Sequence, residues 1–445
     1  MALDFPASPT VGQKYPQPAV SGVPVYTWDG EKWTTLGGAI GSTGASDAIP
    51  LIDAGTGAAG SSTLWSRGDH VHPPITTSPT PPAGDNDTSI ATTEFVSTAI
   101  STAVQNIYAA PFDAMAYSGL QINGAMEVTQ ERTLGTAITA NGYICDGWVL
   151  AKAGTMALNA SLGQSISLVP GLPNFLGLAI ATAQASLSAA DFVYVYQGIE
   201  GYRTIRLGWG TANAQPITLC FWSVHHRTGL YSGSIRNGAG NRSYAFTYTH
   251  NVADVAQYNT VSIPGDTTGT WSIDNTAGLA VSFTVAVGTT FAAPSANAWV
   301  AGNFLAAPGQ INGVAATTDA FRITGVTVLP GSEAPSAARS PFVMRPYDQE
   351  LVVCQRYFRW LPYHVAFQAY TAGEAMGFWF TFPAMRAAPT FSAHAADPGL
   401  TTAASNVATV IHNSATPYGG FSYTTAAAVG PVSASGYRFS ADARL

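Results

Sequence analysis

Alternation with period two marks much of the chain from about residue 119 to 337. In Tyr244 to Thr249 the aromatic positions Tyr244, Phe246 and Tyr248 fall on one side, and in Val281 to Val287 the positions Val281, Phe283, Val285 and Val287 do the same. A strand sends successive side chains to opposite faces, so each run predicts one covered face. Ile217 to Val224 and Phe321 to Val328 read as further strands, and clusters such as Asn237 to Asn241 read as the turns between them. Many short strands with such spacing predict a β-sandwich or barrel, and the span 119–337 suits one large, jelly-roll-like domain.

The pattern changes on either side. Near the start, Val23 to Trp28 and Lys32 to Leu36 flank Asp29-Gly30, a hairpin signal inside a small β-unit over residues 1–38. A lone hairpin is marginal in water, so this unit needs neighbours. Residues 39–88 are rich in Gly, Ala, Ser, Thr and Pro and predict no core of their own; they are an extended linker, either disordered or wound around partner chains. A helix is expected over 89–109, capped by Ser89 or Thr92, with Glu94 in its positive first turn. Thr93, Val96, Ile100, Ala103 and Ile107 follow steps of 3, 4, 3 and 4, an a/d seam with isoleucine at two positions. The seam covers two heptads, about 22 Å, too short to hold a coiled coil alone. The polar linker before it favours a three-stranded clasp over the alternative, the buried face of an ordinary amphipathic helix. After Pro330-Gly331 a short helix can begin at Asp348, and Arg356 to Trp360 resumes strand-like sequence. The stretch 342–445 reads as a second, smaller β-sandwich. The fold class is thus mainly β: small β-unit, linker, short coiled-coil helix, large sandwich and small sandwich.

Composition adds an oligomer to this picture. Charged residues are 10% of the 445, against roughly 25% in ordinary soluble proteins. Lysine occurs only at 14, 32 and 152. So little charge fits a surface partly buried between identical subunits. The net charge of −7 and the lack of a basic stripe argue against nucleic-acid binding. No signal peptide and no membrane-spanning run are evident, so cytoplasmic synthesis without membrane insertion is expected. Cys145, Cys220 and Cys354 are odd in number, widely spaced and set among apolar residues, which predicts buried free thiols.

Several segments resemble tailed-bacteriophage tail fibres. Pro82 to Val96 (PAGDNDTSIATTEFV) is similar to an element common before fibre shafts, and Arg67 to Pro73 (RGDHVHP) to a second element of the same proteins. Leu3 to Pro6, Pro9 to Gly12 and Trp28 to Trp33 look like a small virion-proximal phage module. Asn123 to Met126, Asp146 to Trp148, Pro346 to Leu351 and Cys354 to Tyr357 resemble the large β-domain of prophage-encoded fibres. Beyond Tyr357 the chain matches no named family. The resemblance implies a homotrimer in the virion, assembled in the host cytoplasm. Its N-terminus would face a tail or collar protein, and its distal domains would bind a host cell-surface glycan or receptor. A collar or head fibre with a structural role, or a polysaccharide-depolymerizing tailspike, are the alternatives.

Candidate chemistry is sparse. In His70-Val71-His72 an extended backbone sets both imidazoles on one face, and three chains about an axis would present six nitrogens. Iron, nickel, copper or zinc would suit them, as would plain hydrogen bonding. His225 and His226 face opposite sides of a strand and cannot share a metal. No phosphate-binding loop, His-Glu-x-x-His, Gly-x-Ser-x-Gly or Cys-x-x-Cys occurs, so no enzyme is expected. A depolymerase would need paired carboxylates; Asp319 with a distant partner is an example of such a pair, and nothing in the local sequence picks one out. Trp360, Tyr363, Tyr370, Trp379, Tyr418 and Tyr423 crowd the last domain; they are the candidate receptor-binding residues, set against the core role aromatics usually play.

Overall fold

A computed structural model of the chain describes residues 4–35, 92–107, 119–164, 169–394 and 403–445. It divides into two units, Met1–Tyr108 and Ala109–Leu445. His70 and His72 lie outside the described residues, as does the linker.

In the first unit β1 (Lys14–Tyr15), β2 (Tyr26–Trp28) and β3 (Trp33–Thr35) form an antiparallel sheet in that order. The Asp29-Gly30 turn holds as expected: the Asp29 carboxylate accepts the backbone N–H of Glu31 at 2.9 Å and of Lys32 at 2.8 Å. The strands are shorter than the alternation suggested, and aromatic packing makes up the difference. Phe5 stacks on Trp33 at 5.0 Å and meets Tyr15 at 5.3 Å and Tyr26 at 5.1 Å. Helix α1 (Thr93–Ile107) follows. Thr92 is its cap, accepting the Phe95 N–H at 3.1 Å. Thr93, Val96 and Ile100 are all exposed on the single chain, and the side chains of Ala103 and Ile107 lie outside the described set.

The second unit is mainly antiparallel β. Its large part contains β4 (Gly142–Cys145), β5 (Trp148–Ala153), β6 (Ala157–Gln164), β7 (Asn174–Thr182) and β8 (Phe192–Glu200), then the single-turn α2 (Gly201–Thr204). There follow β9 (Ile217–His225), β10 (Gly229–Asn237), β11 (Arg242–His250), β12 (Gln257–Ile263), β13 (Ala277–Val287), β14 (Trp299–Ala301) and β15 (Ala320–Pro330). They form a seven-stranded sheet, β14-β11-β10-β13-β8-β5-β4, and a five-stranded sheet, β12-β9-β15-β7-β6. One core joins them. Trp148, Leu150, Val193, Val195 and Phe283 enter it from the first sheet; Leu176, Leu178, Leu219, Phe221 and Ile323 enter from the second. The predicted turn at Asn237 is closed by its own side chain, whose Oδ1 accepts the N–H of Asn241 and Arg242.

The segment after β15 runs back over the large sandwich. Helix α3 (Tyr347–Gln355) starts one residue before the expected Asp348. Its Glu350 reaches the buried Asn123, which holds several segments at once. The Asn123 side-chain amide donates to the carbonyls of Val128 and Asp146 at 2.8 and 2.9 Å, and the Asn123 backbone carbonyl accepts the Trp148 indole N–H at 3.0 Å. Gly124 beside it cannot be another residue: an added Cβ would overlap the Val326 carbonyl oxygen. The Glu200 carboxylate, 2% exposed, binds Arg356 at 3.0 and 2.6 Å and the Tyr357 hydroxyl at 3.0 Å.

The last part is the smaller sandwich-like pair of sheets. Its strands are β16 (Phe358–Ala369), β17 (Ala375–Thr381), β18 (Thr390–His394), β19 (Ala403–Ser405), β20 (Val407–Thr416), β21 (Gly419–Ala426) and β22 (Gly430–Asp442). One sheet runs β16-β22-β18, with β19 also on β22; the other runs β17-β21-β20. Tyr363, Val365, Phe439, Phe380 and Phe391 pack between them.

Candidate functional site

Strand β21 wears its polarity reversed. Ser422 and Thr424 are fully buried, while Phe421 and Tyr423 alternate onto the outer face, only partly covered. The inward hydroxyls are satisfied there: the Tyr363 hydroxyl bonds Thr424 Oγ1, and His412 Nδ1 lies 2.6 Å from Ser422 Oγ. The outer face gathers the aromatics instead. Trp379 of β17 pairs in register with Phe421, and their rings lie 5.4 Å apart; Tyr423 follows at 6.0 Å from Phe421 and pairs with Ile411 of β20. Gly377, opposite Tyr423, leaves room for the Phe421 ring, since an added Cβ would strike its Cζ. Trp379 is 68% exposed. The result is an open apolar shelf one sheet wide, with Thr381, Thr409 and Thr425 on its borders, the last two hydroxyls bonded to each other at 2.6 Å.

The other sequence candidates divide. Tyr370 and Tyr418 are exposed at opposite ends of this sheet, in the turns before β17 and before β21, and neither joins the shelf. Trp360 sits on the other sheet, where its indole donates to the Gln130 carbonyl at 2.7 Å and Arg438 covers its ring at 3.8 Å. Tyr363 is 1% exposed and belongs to the core, which corrects its place among the surface candidates. Phe421, Gly377 and Ile411 complete the shelf but were not among the residues singled out from sequence. The one signal available was the Phe421-Ser422-Tyr423 alternation.

Elsewhere the candidate chemistry resolves into structure. His225 is buried and stacked on Tyr231 at 3.5 Å, while His226 points out to Asp254 at 2.8 Å, so the two do face opposite ways. Asp319 lines an open cleft of about 340 Å³, but both its oxygens accept from Arg227 at 3.0 Å and one also accepts the Ala316 N–H. That carboxylate is committed to holding a loop. A second cleft, about 470 Å³, is lined by Glu127, Asn174 and Tyr347; burial and the nearby Glu350 carboxylate push Glu127 above the usual range. Among the described residues no group of three or more His, Cys, Asp or Glu could hold a metal ion, and no helix is long and apolar enough to cross a membrane.

No family model matches the chain, and no curated protein matches it in sequence. Solved structures give distant likenesses. One is the enzymatically active domain of bacteriophage CBA120 tailspike protein 4, at 11% identity and TM-score 0.26, covering 48% of this chain and 22% of that one. Another is the family 11 carbohydrate-binding module of a Clostridium thermocellum cellulosomal cellulase, at 11% identity and TM-score 0.22, covering 46% of this chain and 100% of that one. A third is the N-terminal cellulose-binding domain of Cellulomonas fimi β-1,4-glucanase C, at 11% identity and TM-score 0.18, covering 46% and 99%.

Proposed function

We propose that the chain is a structural subunit of a tailed-phage particle, a homotrimeric tail fibre that binds host-surface carbohydrate and performs no catalysis. On this reading α1 joins three chains, the N-terminal module docks on the tail, and the large domain is a jelly-roll-like spacer. The shelf of Trp379, Phe421 and Tyr423 takes the glycan. The reversed polarity of β21 carries the glycan assignment. Burying hydroxyls while leaving aromatic rings in water inverts the usual economy of a strand, and large exposed apolar surface marks an interaction site. Flat rings edged by hydroxyls suit a pyranose, whose faces are apolar and whose rim is polar. The phage assignment is supported by the resemblance of residues 67–73 and 82–96.

Binding of the purified protein to host surface polysaccharide tests the reading. Retention by the native chain is expected, with loss in Trp379→Ala and Phe421→Ala at unchanged folding. Equal retention by both variants would remove the shelf from the function, and released oligosaccharides would show catalysis instead.

A further inference from the structure

Glu127 stands apart among the carboxylates of the chain. Among the described residues, every other Asp or Glu that is not exposed has a hydrogen bond or an ion pair, as Asp146 has with Gln130, Glu200 with Arg356 and Asp266 with Arg242. Glu127 is partly buried and has neither. It also faces a space that something could fill. With Leu172 and Pro173 ahead of β7, Asn174 at the start of that strand and Tyr347 at the start of α3, it lines the cleft of about 470 Å³. That volume is of the size small-molecule sites have.

The cleft is built rather than loose. Asn174 Nδ2 donates to the Met126 carbonyl at 2.9 Å, which ties one wall to the segment that carries Glu127. The same bond leaves Asn174 Oδ1 with no donor among the described residues. Met126 itself is fully buried and held at φ 57°, a conformation costly for such a side chain. Tyr347 is 55% exposed, so one wall is an aromatic side chain open to solvent. None of the lining residues is Lys or Arg. The charged group that acts on Glu127 is a second carboxylate, that of Glu350.

We propose that this cleft binds an ammonium group, carried by an amino sugar whose nitrogen is not acylated. A carboxylate drawn out of bulk water without a partner is costly, and an ammonium supplies both the charge and the hydrogen bonds it lacks. An ammonium has three donors, and Glu127 and Asn174 Oδ1 are acceptors for them. The Tyr347 ring attracts a cation to its face, while Leu172 and Pro173 give the sugar body an apolar wall. Burial and Glu350 raise Glu127 above the usual carboxylate range, and a bound cation draws it back. Acylation of the nitrogen removes the charge and adds bulk, so it abolishes the fit. The site lies on the large sandwich and does not rest on the Trp379 shelf.

The test uses the full chain, in neutral buffer, on oligosaccharides of glucosamine or galactosamine, each beside its N-acetylated partner. Wild type is expected to retain at least one free-amine member and to bind its acetylated partner at least tenfold more weakly. Glu127→Gln keeps the shape, removes a poorly solvated charge, and should fold and lose that preference. Tyr347→Ala, an exposed change, should weaken the retained member at least threefold. Glu333→Gln removes one charge from an exposed site after β15 and should leave the preference intact. That variant separates the cleft from a general attraction of amines to a chain of net charge −7. Equal binding of every free and acetylated pair by wild type overturns the proposal. So does a preference that survives Glu127→Gln, or one that Glu333→Gln lowers as much. Full binding by Tyr347→Ala overturns the placement of the ligand in this cleft.

Discussion

The backbone N–H of Asn123 donates to Glu350 Oε1 at 2.8 Å, across 227 positions of sequence. Through this bond the stretch before β4 and helix α3 meet over the large sandwich. Arg345 backs the same carboxylate at 3.1 Å and donates to the Gln121 carbonyl at 2.9 Å. Asn123 also sits at φ 50°, where Asn is tolerated better than other side chains. Asn123→Ala removes the side-chain bonds to Val128 and Asp146 and keeps the left-handed backbone. It is expected to destabilise the second unit by about 3 kcal/mol in urea titration, since each orphaned buried partner costs about 1–3 kcal/mol. A loss under about 1 kcal/mol would mean that these bonds are replaced by water.

The proposed glycan role of the aromatic shelf can be tested apart from stability. Trp379 is mostly in solvent, so Trp379→Ala should change stability by less than about 1 kcal/mol while lowering glycan affinity at least tenfold. Gly377→Ala acts differently. The new methyl displaces the Phe421 ring, so affinity falls although every aromatic remains. Calorimetric titration and thermal melting of both variants distinguish the two effects.

Acid should loosen the small sandwich before carboxylates titrate. Burial lowers His412 to about 4, with its ring stacked on Phe439 at 4.1 Å. In the unfolded chain the same group takes a proton near pH 6.5. The stabilisation is therefore complete above about pH 6.5 and is lost as pH falls from there toward 4. The double variant His412→Phe with Ser422→Ala keeps the stacking and removes the titration. Its melting temperature should change less than wild type between pH 7 and 5; equal slopes would assign the pH response elsewhere. His225 is also lowered, by burial and by His250, and it gives the large sandwich a response of the same sign.

The clasp reading of α1 is tested by mass. Val96 and Ile100 are 43% and 56% exposed on one chain, which is costly unless another surface covers them. Sedimentation of the native chain should give three times 46.2 kDa, and Ile100→Asp should lower the assembly state or its resistance to dilution. A native chain that sediments at the single-chain mass would end the trimer proposal.

Strands were the legible part of the sequence. The runs at 217–224, 244–249, 281–287 and 321–328 all fall inside observed strands, because period-two alternation over a shared core is a local signal. Thr92 was legible as a cap for the same reason. Tyr363 was overlooked as core although Leu361, Tyr363 and Val365 alternate onto one face, because the crowd of aromatics in this domain drew it into the surface set. Phe421 was missed because β21 hides its hydroxyls behind partners on other strands, Tyr363 and His412, which sequence spacing cannot reveal. The role of Asn123 depends on residues far along the chain.

The three thiols have a practical consequence. Cys145, Cys220 and Cys354 are buried and unpaired; burial pushes Cys220 up to about 11 and raises the other two well above the usual thiol range. Almost none is thiolate at neutral pH, and oxidants and neighbouring molecules reach none directly. A folded preparation should therefore age in air without reductant and without covalent dimers on a non-reducing gel. A rising yield of such dimers becomes a simple gauge of how much of the sample has come unfolded.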